Sequence, residues 1–178
     1  MRIISGKYKG RRFEPPKNFK ARPTTDFAKE NLFNILNNTI CWEDTEALDL
    51  FGGTGGISFE LISRGCPHVT CIEKSPIHYS FIEKTAQQLK IGDDLRILRM
   101  DVFKYLEYCT EQFDLIFADP PYDLKNFAEI PRLILDKKML KNDGIFILEH
   151  AKEYDFSGLP LFAEKRVYGS VNFSIFRN

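Results

Sequence analysis

A chain of 178 residues, 43% hydrophobic and formally neutral, is long enough for one compact domain with a sizeable core and too short for two full ones. No apolar run approaches the roughly 18 residues that cross a bilayer, and the start MRIISGKYKGRR lacks the apolar stretch of a signal peptide, so a cytoplasmic protein with no membrane partner is expected. Neutrality alone argues against a nucleic-acid partner, but Arg2, Lys7, Lys9, Arg11, Arg12, Lys17, Lys20 and Arg22 face only Glu14 within residues 1–22, a net +7 that leaves −7 for the other 156 residues.

That first segment reads as a basic arm able to grip phosphates, or as a solvated arm that aids solubility. With Pro15 and Pro16 it has the look of a small hairpin or arm. TTDFAKENLFNILNN (24–38) then carries Phe27, Leu32, Phe33, Ile35 and Leu36 in a helix, with a threonine or aspartate as N-cap. From Ala47 short apolar runs alternate with helical segments. ALDLF (47–51) is a strand that enters a glycine cluster, and ISFELISRG (57–65) places Ile57, Leu61 and Ile62 on one helical face. HVTCIE (68–73) is the second strand, and a helix with proline in its first turn runs from Pro76 to about Lys90. DLRILRM (94–100), FDLIFA (113–118) and GIFILEH (144–150) are further strands, separated by helices at 102–109 and about 126–136. Strand followed by helix, repeated, implies an α/β fold with a parallel sheet covered on both faces. LFAEKRVYG (161–169) and VNFSIFR (171–177), separated by little more than Gly169 and Ser170, add an antiparallel hairpin.

Cys41, Cys66, Cys71 and Cys109 contain no CxxC pair and read as reduced buried thiols. Cys66, His68 and Cys71 straddle the start of a strand with no fourth ligand at finger-like spacing, so no metal is expected.

LDLFGGTGG (48–56) follows a strand and opens a helix, the context in which a glycine loop lets backbone approach a ligand closely. It is not the dinucleotide fingerprint, because the third glycine position counted from Gly53 is Ser58, and it lacks the lysine of a P-loop. Glu73 ends the second strand, where a carboxylate can accept from both ribose hydroxyls, and Asp101 ends the third, within reach of an adenine amino group. With Asp49 beside the loop, these acids suit a cationic nucleoside without phosphate, a description that S-adenosylmethionine fits.

FADPPYD (117–123) ends a buried strand on a donor-poor backbone, since Pro120 and Pro121 have no N–H. Asp119 and the Pro120 carbonyl can accept both hydrogens of a planar exocyclic amine, while Tyr122 offers a face on which a flipped base stacks. Methyl transfer to that amine needs in-line placement more than a strong base.

DLFGGTGG and DPPY in this order resemble the class I S-adenosylmethionine-dependent amino-methyltransferases. MRIISGKYKGRRF, RPTTDFAKENLFNIL (22–36), SRG (63–65), FDLIFADPPY (113–122) and the late YG (168–169) narrow the likeness to the bacterial 16S ribosomal RNA guanine-N2 methyltransferase family, whose members modify guanine 966. Gly52, Gly53, Thr54 and Gly55 stand where that family commonly has Ala-Gly-Ser-Gly. The resemblance implies a Rossmann-like, mostly parallel seven-stranded sheet with a C-terminal antiparallel hairpin, a basic N-terminal arm or hairpin over 1–21 and a methyltransferase domain over 22–178. It implies a cofactor site of Asp49, Phe51, Gly52, Gly53, Gly55, Glu73, Lys74, Asp101 and Val102, and a catalytic bracket of Asp119, Pro120, Pro121 and Tyr122. Substrate contacts fall to Arg11, Arg12, Arg22, Thr24, Thr25 and Tyr122. The implied partner is 16S rRNA in the 30S subunit or its assembly intermediate, met by a monomer. Two rivals remain at this point: an adenine-N6 methyltransferase of DNA or RNA, and a non-catalytic rRNA-binding or assembly factor on the same fold.

Overall fold

The computed structural model describes residues 1–17, 19, 26–121 and 123–178. Helix α1 spans Asp26–Leu36, and β1 (Glu46–Asp49), α2 (Gly56–Ser63), β2 (His68–Ile72), α3 (Pro76–Leu89) and β3 (Leu95–Leu98) follow. The second half is α4 (Val102–Tyr108), β4 (Phe113–Ala118), α5 (Ile130–Asp136), β5 (Leu140–His150), β6 (Phe162–Tyr168) and β7 (Val171–Arg177). The seven strands form one sheet in the order β3-β2-β1-β4-β5-β7-β6. β1 to β5 are parallel, and β7 pairs antiparallel with both β5 and β6. This is the expected α/β Rossmann-like arrangement.

Side chains of successive strand residues leave on opposite faces, so each apolar strand feeds two cores. Leu115 and Phe117 of β4 join Ile147, Phe173, Phe33 and Phe59 under α1, α2 and α3. Ile116 and Ala118 join Phe146, Leu148 and Phe176 under α4 and α5. Helix α2 is buried all round from Ile57 to Ser63, which is why its pattern shows little amphipathic contrast. Ser75 caps α3 ahead of Pro76, and Asp101 caps α4 by accepting the Phe103 amide at 3.0 Å.

Two elements differ from the sequence expectation. Asn126 takes a left-handed conformation (φ 62°) and a single 3-10 turn, Phe127–Glu129, precedes α5 with Pro131 in its first turn, so the expected helix over 126–136 is two pieces. Strand β5 begins at Leu140, not Gly144, because Leu140 pairs with Phe113 across a register shift, with Asp143 at φ 62°.

Met1 to Phe13 fold as a tight hairpin closed by Ile3 N–H to Arg11 O (3.0 Å) and Phe13 N–H to Met1 O (3.0 Å). It is fastened to α2. The Glu60 carboxylate accepts the amides of Ile4 (2.7 Å) and Ser5 (3.0 Å), and the Ser63 carbonyl accepts the Lys7 amide at 2.7 Å. Gly6 (φ 78°) passes so close that a Cβ there would fall on the Ser63 carbonyl. Ile3 is fully buried, worth about 1.5–3 kcal/mol of apolar burial.

The parallel strands all point their C-terminal ends to one edge. β1 lies between β2, reached through α2, and β4, reached from β3, so the connection reverses direction there. In open α/β sheets that reversal leaves a crevice beyond the strand ends.

Candidate active site

A cavity of about 1050 Å³ fills that crevice, at the upper end of the roughly 300–1,000 Å³ that house one small ligand. On one flank lie the loop after β1 (Leu50 to Thr54), Glu73 to Pro76 after β2, and Asp101 to Phe103 after β3. On the other lie Asp119 to Pro121 after β4, Glu149 of β5, Ser170 and Val171 at the β6–β7 turn, and Met1, Arg2, Asp26 and Lys29.

The glycine loop is held by its neighbours. The Glu73 carboxylate accepts the Gly53 amide at 2.7 Å through Oε2 and the Ser75 amide at 2.7 Å through Oε1. Each oxygen keeps further lone-pair capacity for a ligand hydroxyl. Gly52 packs so tightly that a Cβ would lie 2.6 Å from Cys71 Sγ and 2.9 Å from Ile82 Cδ1. No larger residue fits between β2, α3 and the cavity.

Asp49 lies beneath the loop, 1% exposed, and accepts from Ser58 Oγ at 2.7 Å. Burial pushes its carboxyl up to about 6, against the Ser58 hydroxyl and the Phe51 and Ser58 amides that pull it down, with Glu73 adding a smaller upward push. Asp101 is set the other way. Lys74 Nζ, 2.9 Å from Asp101 Oδ2, holds that carboxyl below the usual carboxylate range, helped by the amides of α4 and opposed by partial desolvation.

Six carboxylates line the cavity among the described residues, against Arg2, Lys29 and Lys74. Each of those cations is already paired: Arg2 with Asp26 at 2.9 Å, Lys29 with Glu60 at 3.6 Å and Lys74 with Asp101. Glu73, Asp119, Asp123 and Glu149 tip the balance to negative, which attracts a cation and repels a phosphate. No cluster of three metal-ligating side chains occurs among the described residues. Nor does any helix among them have the length and apolarity to cross a membrane.

Of the residues singled out in the sequence, Phe51, Gly52, Gly53, Glu73, Lys74, Asp101, Val102, Asp119, Pro120 and Pro121 meet in this one cavity. Asp49 and Gly55 support the loop from outside it, Gly55 as the left-handed (φ 74°) N-cap of α2. Arg11 and Arg12 are exposed on the hairpin. Arg22, Thr24, Thr25 and Tyr122 lie outside the described residues. Pro120 is buried and Pro121 exposed, and the Pro121 carbonyl accepts the Leu124 amide at 3.0 Å, turning the chain sharply after the bracket.

Sequence reasoning passed over Lys29, Glu60 and Glu149. Each is a charged residue inside an apolar pattern: Lys29 one turn before Phe33, Glu60 between Phe59 and Leu61, and Glu149 directly after FIL. A buried ionic position is the simplest explanation of such a break. His150, the last residue of β5, is not among the residues lining the cavity. Its ring meets Ala151 O at 2.8 Å and Ser174 Oγ at 2.9 Å, and burial lowers its pKa.

A family model described as Conserved hypothetical protein 95 matches residues 1–177. Ribosomal RNA small subunit methyltransferase D of Escherichia coli K12 is 31% identical over 160 residues, 90% of this chain and 78% of that protein. The protein of the same name from Buchnera aphidicola subsp. Baizongia pistaciae is 31% identical over 149 residues, 84% of this chain and 75% of its own. A solved structure of a hypothetical protein from Thermus thermophilus superposes with a TM-score of 0.86 at 26% identity, covering 99% of this chain and 98% of the other. With a cavity at the switch point of a seven-stranded sheet, a glycine loop clamped by Glu73 and a donor-poor bracket at the end of β4, the chain belongs to the Conserved hypothetical protein 95 family, the methyltransferases related to Ribosomal RNA small subunit methyltransferase D.

Proposed function

We propose that this protein methylates the exocyclic N2 of a guanine in 16S rRNA, at the position the family resemblance implies, guanine 966. Ribosomal RNA methylation with S-adenosylmethionine as cofactor is the reading that the family carries. The observation that carries the finer reading is the meeting, in one cavity, of the acid-rich glycine-loop flank and the Asp119–Pro121 bracket. The cavity fits the cofactor: its acid excess matches a sulfonium, and the glycine loop that lines it packs at Gly52 directly against Cys71 and Ile82.

S-adenosylmethionine, when bound, supplies an electrophilic methyl group on a cationic sulfur. Glu73, with its oxygens anchored on Gly53 and Ser75, presents its remaining lone pairs to the ribose hydroxyls. Asp101, Lys74, Val102 and Phe51 take the base end, and Asp49 supports the loop from below. Asp119 and the Pro120 carbonyl accept the two hydrogens of the guanine amine and hold its nitrogen lone pair toward the methyl. Transfer would form the N–C bond as the S–CH3 bond breaks and a neutral thioether departs, and Asp119 would stabilise the positive charge that passes to the amine until the extra proton leaves to water. The family resemblance gives Tyr122 the stacking of the flipped base and gives Arg22, Thr24 and Thr25 contacts to the substrate. Exposed Arg11 and Arg12 hold RNA phosphates, so the substrate is structured RNA in the 30S subunit or an assembly intermediate. The protein acts as a monomer where ribosomes are assembled, in the cytoplasm.

The deciding experiment incubates protein-deficient and mature small subunits with methyl-labelled cofactor and maps the modified nucleoside. N2-methylguanosine is the expected product; N6-methyladenosine would replace this reading with the adenine one, and no transfer to either substrate would favour a binding factor.

A further inference from the structure

We infer that Glu149 is the residue by which the site tells guanine from adenine, accepting the N1–H of the target base while Asp119 and Pro120 hold its amine. This rests on the guanine reading above and deepens it. The parallel pairing of β4 and β5 puts Ala118 opposite Leu148, so the next residues, Asp119 and Glu149, leave adjacent strands at the same level. Adjacent strands lie about 4.8 Å apart, which sets two carboxylates side by side along one edge of a planar ligand. Glu149 follows Ile147 by two residues and pairs with Phe173. It therefore faces the same side of the sheet as Phe117, Ile147 and Phe173, the side that carries α1 and the N-terminal hairpin. The residue is only 5% exposed, yet it forms part of the cavity wall beside Ser170 and Val171.

Beyond adding to the negative charge of the cavity, a buried carboxylate at this place has a chemical use for a base. An ionised carboxylate only accepts hydrogen bonds. Guanine presents N1–H next to its 2-amino group, so two neighbouring acceptors match two neighbouring donors. Adenine presents a bare N1 lone pair next to its 6-amino group, and a carboxylate facing it is repulsive. The amine bracket alone accepts either base; the second carboxylate rejects one. A site built to hydrogen-bond an N–H discriminates far more strongly against an analogue lacking it than an apolar pocket can.

The test uses an RNA fragment of the small subunit with the target guanine replaced by 2-aminopurine, which keeps the 2-amino group but carries an unprotonated N1. Wild-type enzyme is expected to methylate it at least about 100-fold more slowly than guanine. Glu149→Gln, whose amide can turn its NH2 toward N1, is expected to lower the guanine rate, raise the 2-aminopurine rate, and shift their ratio by at least about tenfold. Cofactor affinity by calorimetry should stay within about twofold. A parallel fall on both substrates with an unchanged ratio would overturn the role of Glu149 and leave guanine methylation standing. A wild-type product other than N2-methylguanosine would overturn the guanine reading itself. If Glu149→Gln does not fold, Glu149→Asp keeps an acceptor-only group and must retain the guanine preference at a reduced rate; loss of that preference counts against the inference.

Discussion

Lys29 of α1 and Glu60 of α2 meet 3.6 Å apart with side chains 4% and 0% exposed. Burial lowers the Lys29 pKa, and Glu60 is the group that opposes the shift most strongly. Lys29 Nζ also donates to Arg2 O at 2.6 Å, and Arg64 Nε donates to Glu60 Oε1 at 3.0 Å. One carboxylate thus neutralises two buried cations and ends two hairpin amides. Glu60→Ala should destabilise the protein by about 3–5 kcal/mol, because the uncompensated Lys29 and Arg64 charges stay behind. Urea denaturation reads this directly, and a change below about 1 kcal/mol would mean that water replaces Glu60 at no cost.

Asp49 makes stability depend on pH in an unusual direction. Its folded-state pKa of about 6 lies above the ordinary value of 3.8. Between those values the folded protein holds a proton that the unfolded chain has released, so stability falls as pH rises from about 4 to about 6. The loss is on the order of 3 kcal/mol if this group acts alone. Asp49→Asn keeps an acceptor for Ser58 and removes the titration, so the variant should gain on wild type as pH rises through that window. Parallel stability curves would show that the carboxylate is better solvated than its burial indicates.

Asp119 and Glu73 should separate chemistry from binding. Asp119→Ala is expected to reduce kcat by about 100-fold or more with cofactor affinity within about tenfold, since the lost group orients the acceptor. Glu73→Ala should weaken cofactor binding by about 10- to 100-fold, the worth of a charge-assisted hydrogen bond. It should also lower Tm, because the Gly53 and Ser75 amides lose their acceptor. Single-turnover kinetics and calorimetry distinguish the two patterns; identical behaviour of the variants would undo the assignment.

Arg11 and Arg12 are exposed and distant in sequence from the bracket. Replacing both with glutamine should weaken RNA binding and reduce the log–log salt slope by up to about two units. Filter binding at several salt concentrations measures it, and an unchanged slope would reduce these side chains to a solubilising role.

The strands were legible because each is an apolar run bounded by turn residues, and FADPPYD stood out by lacking donors at the end of one of them. Glu73 and Asp101 stood out from their place at strand ends, and the fold brings both to one cavity. What local patterns could not show was partnership at long range. Glu60 is 56 residues from Ile4, whose amide it accepts, and no periodicity records that. The seat of Glu149 beside Asp119 depends on the β4–β5 register, which only the folded sheet fixes. The split of the 126–136 helix turned on Asn126 and Pro131, two residues whose backbone preferences outweighed the apolar spacing around them.

The fastening of the hairpin to α2 also changes what a neutral net charge means here. Lys7, Lys9, Arg11 and Arg12 belong to a hairpin fastened to α2, while residues 23–178 carry a net −7, so the separation of charge along the sequence becomes a dipole moment held in place by the fold. A tethered, freely swinging arm would average that moment away. Near a polyanion such a dipole turns the protein before contact, presenting the hairpin face first. Salt should therefore slow the approach to RNA more than it hastens departure.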